Sequence, residues 1–87
     1  MKRTIIFEAE VKLGDKKVDF RIYKVEVDDV ITHYEFDFNP QVRDIKQNGF
    51  HVGESMMGIT LDELLFRFQK YKEEFTHIVE ERNNSNF

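Results

Sequence analysis

Three histidines, one serine flanked by glycines and a band of carboxylates are the residues of this chain best equipped for chemistry. His33, His51 and His77 are far apart in sequence and show no H-x-x-x-H spacing. A metal centre needs three or four ligands converging on one point, and no clustered carboxylate pattern completes such a set. Ser55 lies in Gly53-Glu54-Ser55-Met56-Met57-Gly58, which echoes the G-x-S-x-G nucleophile elbow only in outline. That elbow requires a strand before it, a helix after it and a large parallel sheet around it, which a chain this short cannot supply. The glycines from Gly49 to Gly58 lack the G-K-[S/T] ending of a phosphate loop and the Rossmann spacing, so no cofactor is expected. Acids do meet on one face of a sheet in the register derived below, with Glu10 opposite Asp19 and Arg21 between Glu8 and Asp37. A general acid needs a desolvated carboxyl in a cleft. A flat face laced with a guanidinium keeps its carboxylates ionised instead. No enzymatic activity is expected.

The elements that position these groups follow from periodicity. Apolar residues at Ile5, Phe7, Ala9, Val11 and Leu13 alternate with Ile6, Glu8, Glu10 and Lys12, the pattern of a half-buried strand. Gly14-Asp15 supplies a two-residue turn with glycine first, as a type II′ hairpin requires. Counting back from it sets Val11 beside Val18, Ala9 beside Phe20 and Phe7 beside Ile22. A three-residue loop at Asp28-Asp29-Val30 continues the register, placing Ile22 beside Phe36 and Phe20 beside Phe38. Asn39-Pro40 then reads as the cap and first position of a short helical turn, with Val42 and Ile45 facing inward and Asn48-Gly49 as its stop. Phe50-His51-Val52 is a candidate fourth strand. Thr60-Leu61-Asp62-Glu63 is a capping box. From it the apolar stripe Leu61, Leu64, Leu65, Phe68, Tyr71, Phe75, Ile78 and Val79 predicts one long helix to Arg82, roughly 30 Å at ~1.5 Å per residue. Asn83 to Phe87 reads as a disordered, solvated tail.

The expectation is an α+β fold: a three- or four-stranded antiparallel meander, one long C-terminal helix on one face and a short helical turn in the connection. Residues 1–82 form the single domain and 83–87 the tail. With 87 residues, 40% hydrophobic content and nine phenylalanines, a packed core is within reach and disorder is excluded. There is no cysteine, so disulfides and thiolate metal sites are ruled out. The apolar run after Met1-Lys2-Arg3-Thr4 breaks at Glu8, too early for a signal peptide or a membrane span, and a cytoplasmic location is expected. The net charge of −4 is spread evenly, nine acids and seven bases up to Phe38, then eight and six. A phosphate-binding protein would carry a basic surplus, so nucleic acid is an unlikely partner.

One helix covers one side of such a sheet. The other side carries Ile6 beside Tyr23, Val25 beside His33 and Val27 beside Ile31, next to an acidic strip of Glu8, Glu10, Asp19, Glu35 and Asp37. An apolar patch rimmed by charge marks an interaction surface, unless residues 42–57 fold over it. Phe66 points away from the helical stripe, among Asp62, Lys70, Glu73 and His77, and should meet either a partner or Met56 and Met57. The expected function is a small non-enzymatic protein-binding module. It would pair with itself or, as phage and mobile-element inhibitors do, present an acidic sheet face to a partner enzyme. Tyr23, Val25, His33 and Glu35 sit at the centre of that contact and Phe66 at a second. The alternative is a single-stranded nucleic-acid-binding sheet that stacks bases on Tyr23, His33 and Tyr34.

Overall fold

The computed structural model describes residues 1–50, 54–57 and 60–87. Strands β1 (Lys2–Leu13), β2 (Lys16–Val27) and β3 (Val30–Asn39) form consecutive antiparallel hairpins. The chain then makes β4 (Gln41–Asp44) and β5 (Glu54–Met57), the helix α1 (Leu61–Lys72) and β6 (Ile78–Arg82). One sheet has the order β1-β2-β3-β5, and β4 pairs with β6 in a second, two-stranded sheet.

The hairpin register is the one the apolar alternation predicts: Val11 opposite Val18, Ala9 opposite Phe20, Phe7 opposite Ile22, then Ile22 opposite Phe36 and Phe20 opposite Phe38. Gly14 has φ 61°, as the first central residue of a II′ turn must. The second hairpin is tighter than expected. Asp28 and Asp29 are both left-handed, at φ 52° and 64°, the signature of a two-residue type I′ turn that Asp tolerates. Its loop is one residue shorter than the expected Asp28-Asp29-Val30, and a bulge absorbs the difference. Val25 faces His33 but Glu26 faces Ile31, so Thr32 is the extra residue. A second bulge lies in β1, where Ile5 faces Tyr23 and Phe7 faces Ile22. The neighbour of Tyr23 is therefore Ile5, not Ile6, and that of Val27 is Val30, not Ile31.

One face of the sheet and the helix enclose the core. Phe20 stacks on Phe68 at 4.1 Å between ring centroids, Phe36 meets Phe68 and Tyr71 edge-on at 5.2 and 5.4 Å, and Phe75 lies 5.2 Å from Tyr71. Leu64, Phe68 and Tyr71 are the buried face of the helix, the three- and four-residue steps that an amphipathic helix requires. Thr60 caps it, its hydroxyl accepting the Glu63 amide at 3.2 Å.

The expected long helix is half that length, and the expected helical turn after Pro40 is a strand. Both corrections have one cause. After Lys72 the helix tightens through Glu74 N–H to Tyr71 and Phe75 N–H to Lys72 carbonyls. The next amides then leave it. Thr76 and His77 N–H donate to Asp44 Oδ2 at 2.6 and 2.9 Å, and Ile78 N–H donates to Asp15 Oδ1 at 2.9 Å. Three charge-assisted bonds from distant carboxylates displace three helical bonds, and each is the stronger kind. Ile78 and Val79, β-branched and better suited to a strand, then open β6, where Ile78 pairs with Asp44 of β4, Glu80 pairs with Arg43 and Val79 is the extra residue of a bulge. Asp44, fully buried, also accepts the Lys46 amide at 3.1 Å. Asn39, read as a helix cap, uses its side-chain oxygen to accept the Asn84 amide instead, at 2.8 Å. The candidate strand at Phe50–Val52 falls mostly outside the described residues; the fourth strand is β5, antiparallel to β3.

Candidate functional site: the open face, the outer helix and the β1 edge

Residues predicted to form a contact on the open face divide into buried and half-buried sets. Tyr23 is 3% exposed and Val25 is 0% exposed. The Arg3 guanidinium lies 3.4 Å from the centre of the Tyr23 ring, a cation–π cover. The Tyr23 hydroxyl donates to the main-chain oxygen of Phe87 at 2.8 Å. Residues 83–87, read from the sequence as a solvated tail, lie against this face, with Asn84 buried among Asp37, Phe38 and Asn39. Neither Tyr23 nor Val25 offers surface to a partner or a base in this arrangement.

His33 and Glu35 are half-buried and connected. His33 Nε2 is 3.1 Å from Glu35 Oε1, and Arg3 Nε donates to Glu35 Oε2 at 3.1 Å. Thr32 Oγ1 lies 3.0 Å from His33 Nδ1, so hydroxyl, imidazole and carboxylate stand in the order of a catalytic triad. The hydroxyl, however, donates to the Val25 carbonyl at 3.3 Å. Its proton is directed at main chain, whereas a nucleophile would give it to the ring. Among the described residues no group of three His, Cys, Asp or Glu side chains could hold a metal ion. No helix among them is long and apolar enough to cross a membrane.

The acidic strip is largely partnered. Glu8 accepts Arg21 Nε at 2.7 Å, Glu10 lies 3.9 Å from Lys17, and Asp37 accepts the Asn84 amide at 2.9 Å. The Tyr23 hydroxyl and then Glu8 raise the Arg21 pKa above its ordinary value. The second predicted contact is bare: Phe66 is 63% exposed on the outer side of α1, with Lys70 Nζ 5.3 Å from its ring. Asp62, Glu63, Phe66, Arg67 and Lys70, each on α1, line a shallow depression there.

A further exposed surface is the outer edge of β1. This strand ends the sheet, and Ile5, Ile6 and Phe7 on it are 45%, 39% and 50% exposed. Leu13 and Lys16 close the two-residue hairpin, so odd residues from Leu13 back to Phe7 bond to β2. The N–H and C=O groups of Lys12, Glu10 and Glu8 therefore point outward. The signal was present in the sequence: the first strand of a meander is an edge, and this one carries Phe7 beyond the reach of a single helix. Compared with protein-family models, with curated proteins and with solved structures, the chain matches none of them.

Proposed function

We propose that this protein is a non-enzymatic binding module that takes an extended segment of another protein as an added strand along the outer edge of β1. The observation that carries the reading is that edge: twelve residues of strand, alternately offering main-chain groups, with a half-exposed aromatic at its middle. At about 3.4 Å per residue it is roughly 40 Å long, far more than the five or six residues of an ordinary strand require. Strand addition draws affinity from main-chain hydrogen bonds and specificity from alternate side chains. Phe7, Ala9 and Val11 would continue an apolar face onto the partner. Glu8 and Glu10 on the other face, with side chains 56% and 62% exposed, would oppose its basic residues. The fitting partner is a strand alternating apolar and basic residues, the class of surface an acidic inhibitor would block. A second copy of this chain is the competing occupant.

The test is a titration with a Val-Lys alternating octapeptide, read by amide chemical shifts, beside a peptide of the same composition in blocks. Shifts confined to β1 and specific to the alternating peptide are expected. Glu10→Pro removes an outward N–H and leaves the β2 ladder intact, because proline is tolerated on an edge. It should abolish binding without unfolding the chain. Binding that ignores Glu10→Pro would refute the edge, and a concentration-dependent dimer mass that Glu10→Pro abolishes would identify the second copy as the occupant.

A further inference from the structure

The five residues after β6 sit on the open face in a way that a loose tail would not. Their seat is built from three neighbouring strands: Arg3 on β1, Arg21 and Tyr23 on β2, Asp37 on β3. The buried Asn84 is read from three directions. Its side-chain amide donates to Asp37 Oδ2 at 2.9 Å and to the Phe38 carbonyl at 3.0 Å, while its main-chain N–H donates to Asn39 Oδ1 at 2.8 Å. At the other end, Arg21 Nη1 and the Tyr23 hydroxyl both donate to the main-chain oxygen of Phe87 at 2.8 Å. The Arg21 guanidinium lies 4.1 Å from the Phe87 ring centre, and Arg3 Nη1 donates to the Asn86 carbonyl at 3.1 Å.

Two features separate the seat from its occupant. The segment holds its own shape: Asn84 Oδ1 accepts the Asn86 amide at 3.1 Å and the Asn84 carbonyl accepts the Phe87 amide at 3.2 Å, a turn stapled by its first side chain. The seat also holds its own shape. Glu8 orients Arg21 and Glu35 orients Arg3, at 2.7 and 3.1 Å, and neither carboxylate belongs to the segment. Beyond these counter-charges each guanidinium donates to a main-chain oxygen of the segment, Arg21 to that of Phe87 and Arg3 to that of Asn86. A preformed turn on a preformed seat, joined by directional polar bonds and one ring, is how a peptide is recognised.

We propose that this sheet face is a binding site for a turn of the form asparagine–x–x–aromatic, occupied in cis by Asn84–Phe87, and that the same segment of a second copy can occupy it in trans. The proposal does not rest on strand addition at the β1 edge, although Arg3 and Glu8 of that strand help to shape the seat.

The experiment uses the full chain carrying Asn84→Ala and Phe87→Ala, which vacates the seat. The probe is a capped peptide of residues 82–87, acetylated and amidated, followed by the shifts of the Tyr23 amide and the Arg21 side chain. The vacated chain should bind it saturably. The wild-type chain, already occupied, should bind at least tenfold more weakly. Adding Arg21→Gln and Tyr23→Phe to the vacated chain should weaken binding at least tenfold. Equal binding to wild type, indifference to the Arg21 and Tyr23 changes, or no binding at millimolar peptide by a folded vacated chain would each overturn the proposal. Should the double variant unfold, Phe87→Ala alone serves as the receptor. If that also unfolds, the segment is core and the proposal falls.

Discussion

Phe66 and Phe68 lie two positions apart on α1 and test the packing without changing local chain chemistry. Each substitution to alanine makes the same gain in helix propensity, so the difference between them isolates the environment. Phe68 is 3% exposed, stacked on Phe20 at 4.1 Å and edge-on to Phe36 at 5.2 Å. Truncating a buried phenylalanine costs about 3–5 kcal/mol in lost transfer energy and residual cavity, and two ring contacts put this site in the upper part of that range. Phe66, 63% exposed, loses only the Lys70 cation–π contact, worth about 0.5–1 kcal/mol at an exposed site and offset by alanine's propensity. The expected cost is ~4 kcal/mol for Phe68→Ala and under ~0.5 kcal/mol for Phe66→Ala. A domain this small has roughly 5–13 kcal/mol in total, so Phe68→Ala should stand close to unfolding. Urea melts followed by circular dichroism at 222 nm, with heat melts beside them, measure both. At about 4–8 °C per kcal/mol the buried variant should melt ~15–30 °C lower. Similar costs for the two, or less than ~1 kcal/mol for Phe68→Ala, would mean that the helix presents another face to the sheet.

Acid should loosen the junction between α1 and β6 first. The Thr76 amide chiefly, then those of Lys46 and His77, hold the Asp44 carboxyl below its usual 3.8, and the Ile78 amide followed by His77 does the same for Asp15. A depressed folded-state pKa gives stability that is complete above 3.8 and lost as pH falls through the folded value. Hydrogen-exchange protection at Thr76, His77 and Ile78, relative to the intrinsic rate at each pH, should therefore fall below pH ~3.8, ahead of that of β2. Asp44→Asn should show fast exchange there already at neutral pH, and unchanged protection would contradict the account. Gly14→Ala meets both a φ of 61° and a Cβ position 2.9 Å from the Thr76 carbonyl carbon and oxygen. It should cost ~2 kcal/mol or more in a urea melt, since the left-handed conformation alone takes about 1–2. Thr60→Ala removes the helix cap and should cost ~1 kcal/mol by the same assay, whereas Thr60→Asp should not.

The hairpins were legible because two local rules agreed. Period-2 alternation in β1 and β2 fixes which residues share a face, and Gly14 fixes the turn that sets their register. The helix end was not legible, because the stripe from Leu61 to Val79 keeps helical spacing beyond the point where the helix stops. What ends it is Asp44, 32 positions from Thr76, together with Asp15, 63 positions from Ile78. No window on the sequence contains both partners. A trace of the outcome is present in Phe75-Thr76-His77-Ile78-Val79, where three of five residues are β-branched. That trace loses to the stripe until the distant carboxylates are included.

The packing of the last residues on the open face was illegible for a related reason. Asn83-Asn84-Ser85-Asn86 has the composition of a solvated segment, and composition treats asparagine as a residue that stays in water. A buried asparagine is permitted wherever its donors and acceptors are met, and Asn84 has Asp37, Phe38 and Asn39 on one side and Asn86 on the other. The cover of Tyr23 on that face comes from the two ends of the chain. Arg3 reaches back over Tyr23 and Phe87 returns beneath Arg21. With Tyr23 and Val25 enclosed, the proposed contact moves to surfaces that are exposed among the described residues. Phe66 is one, but it stands alone on a single helix. The β1 edge combines a half-exposed aromatic with outward main-chain groups, and unpaired main chain is the more demanding of the two, because water is its only other partner.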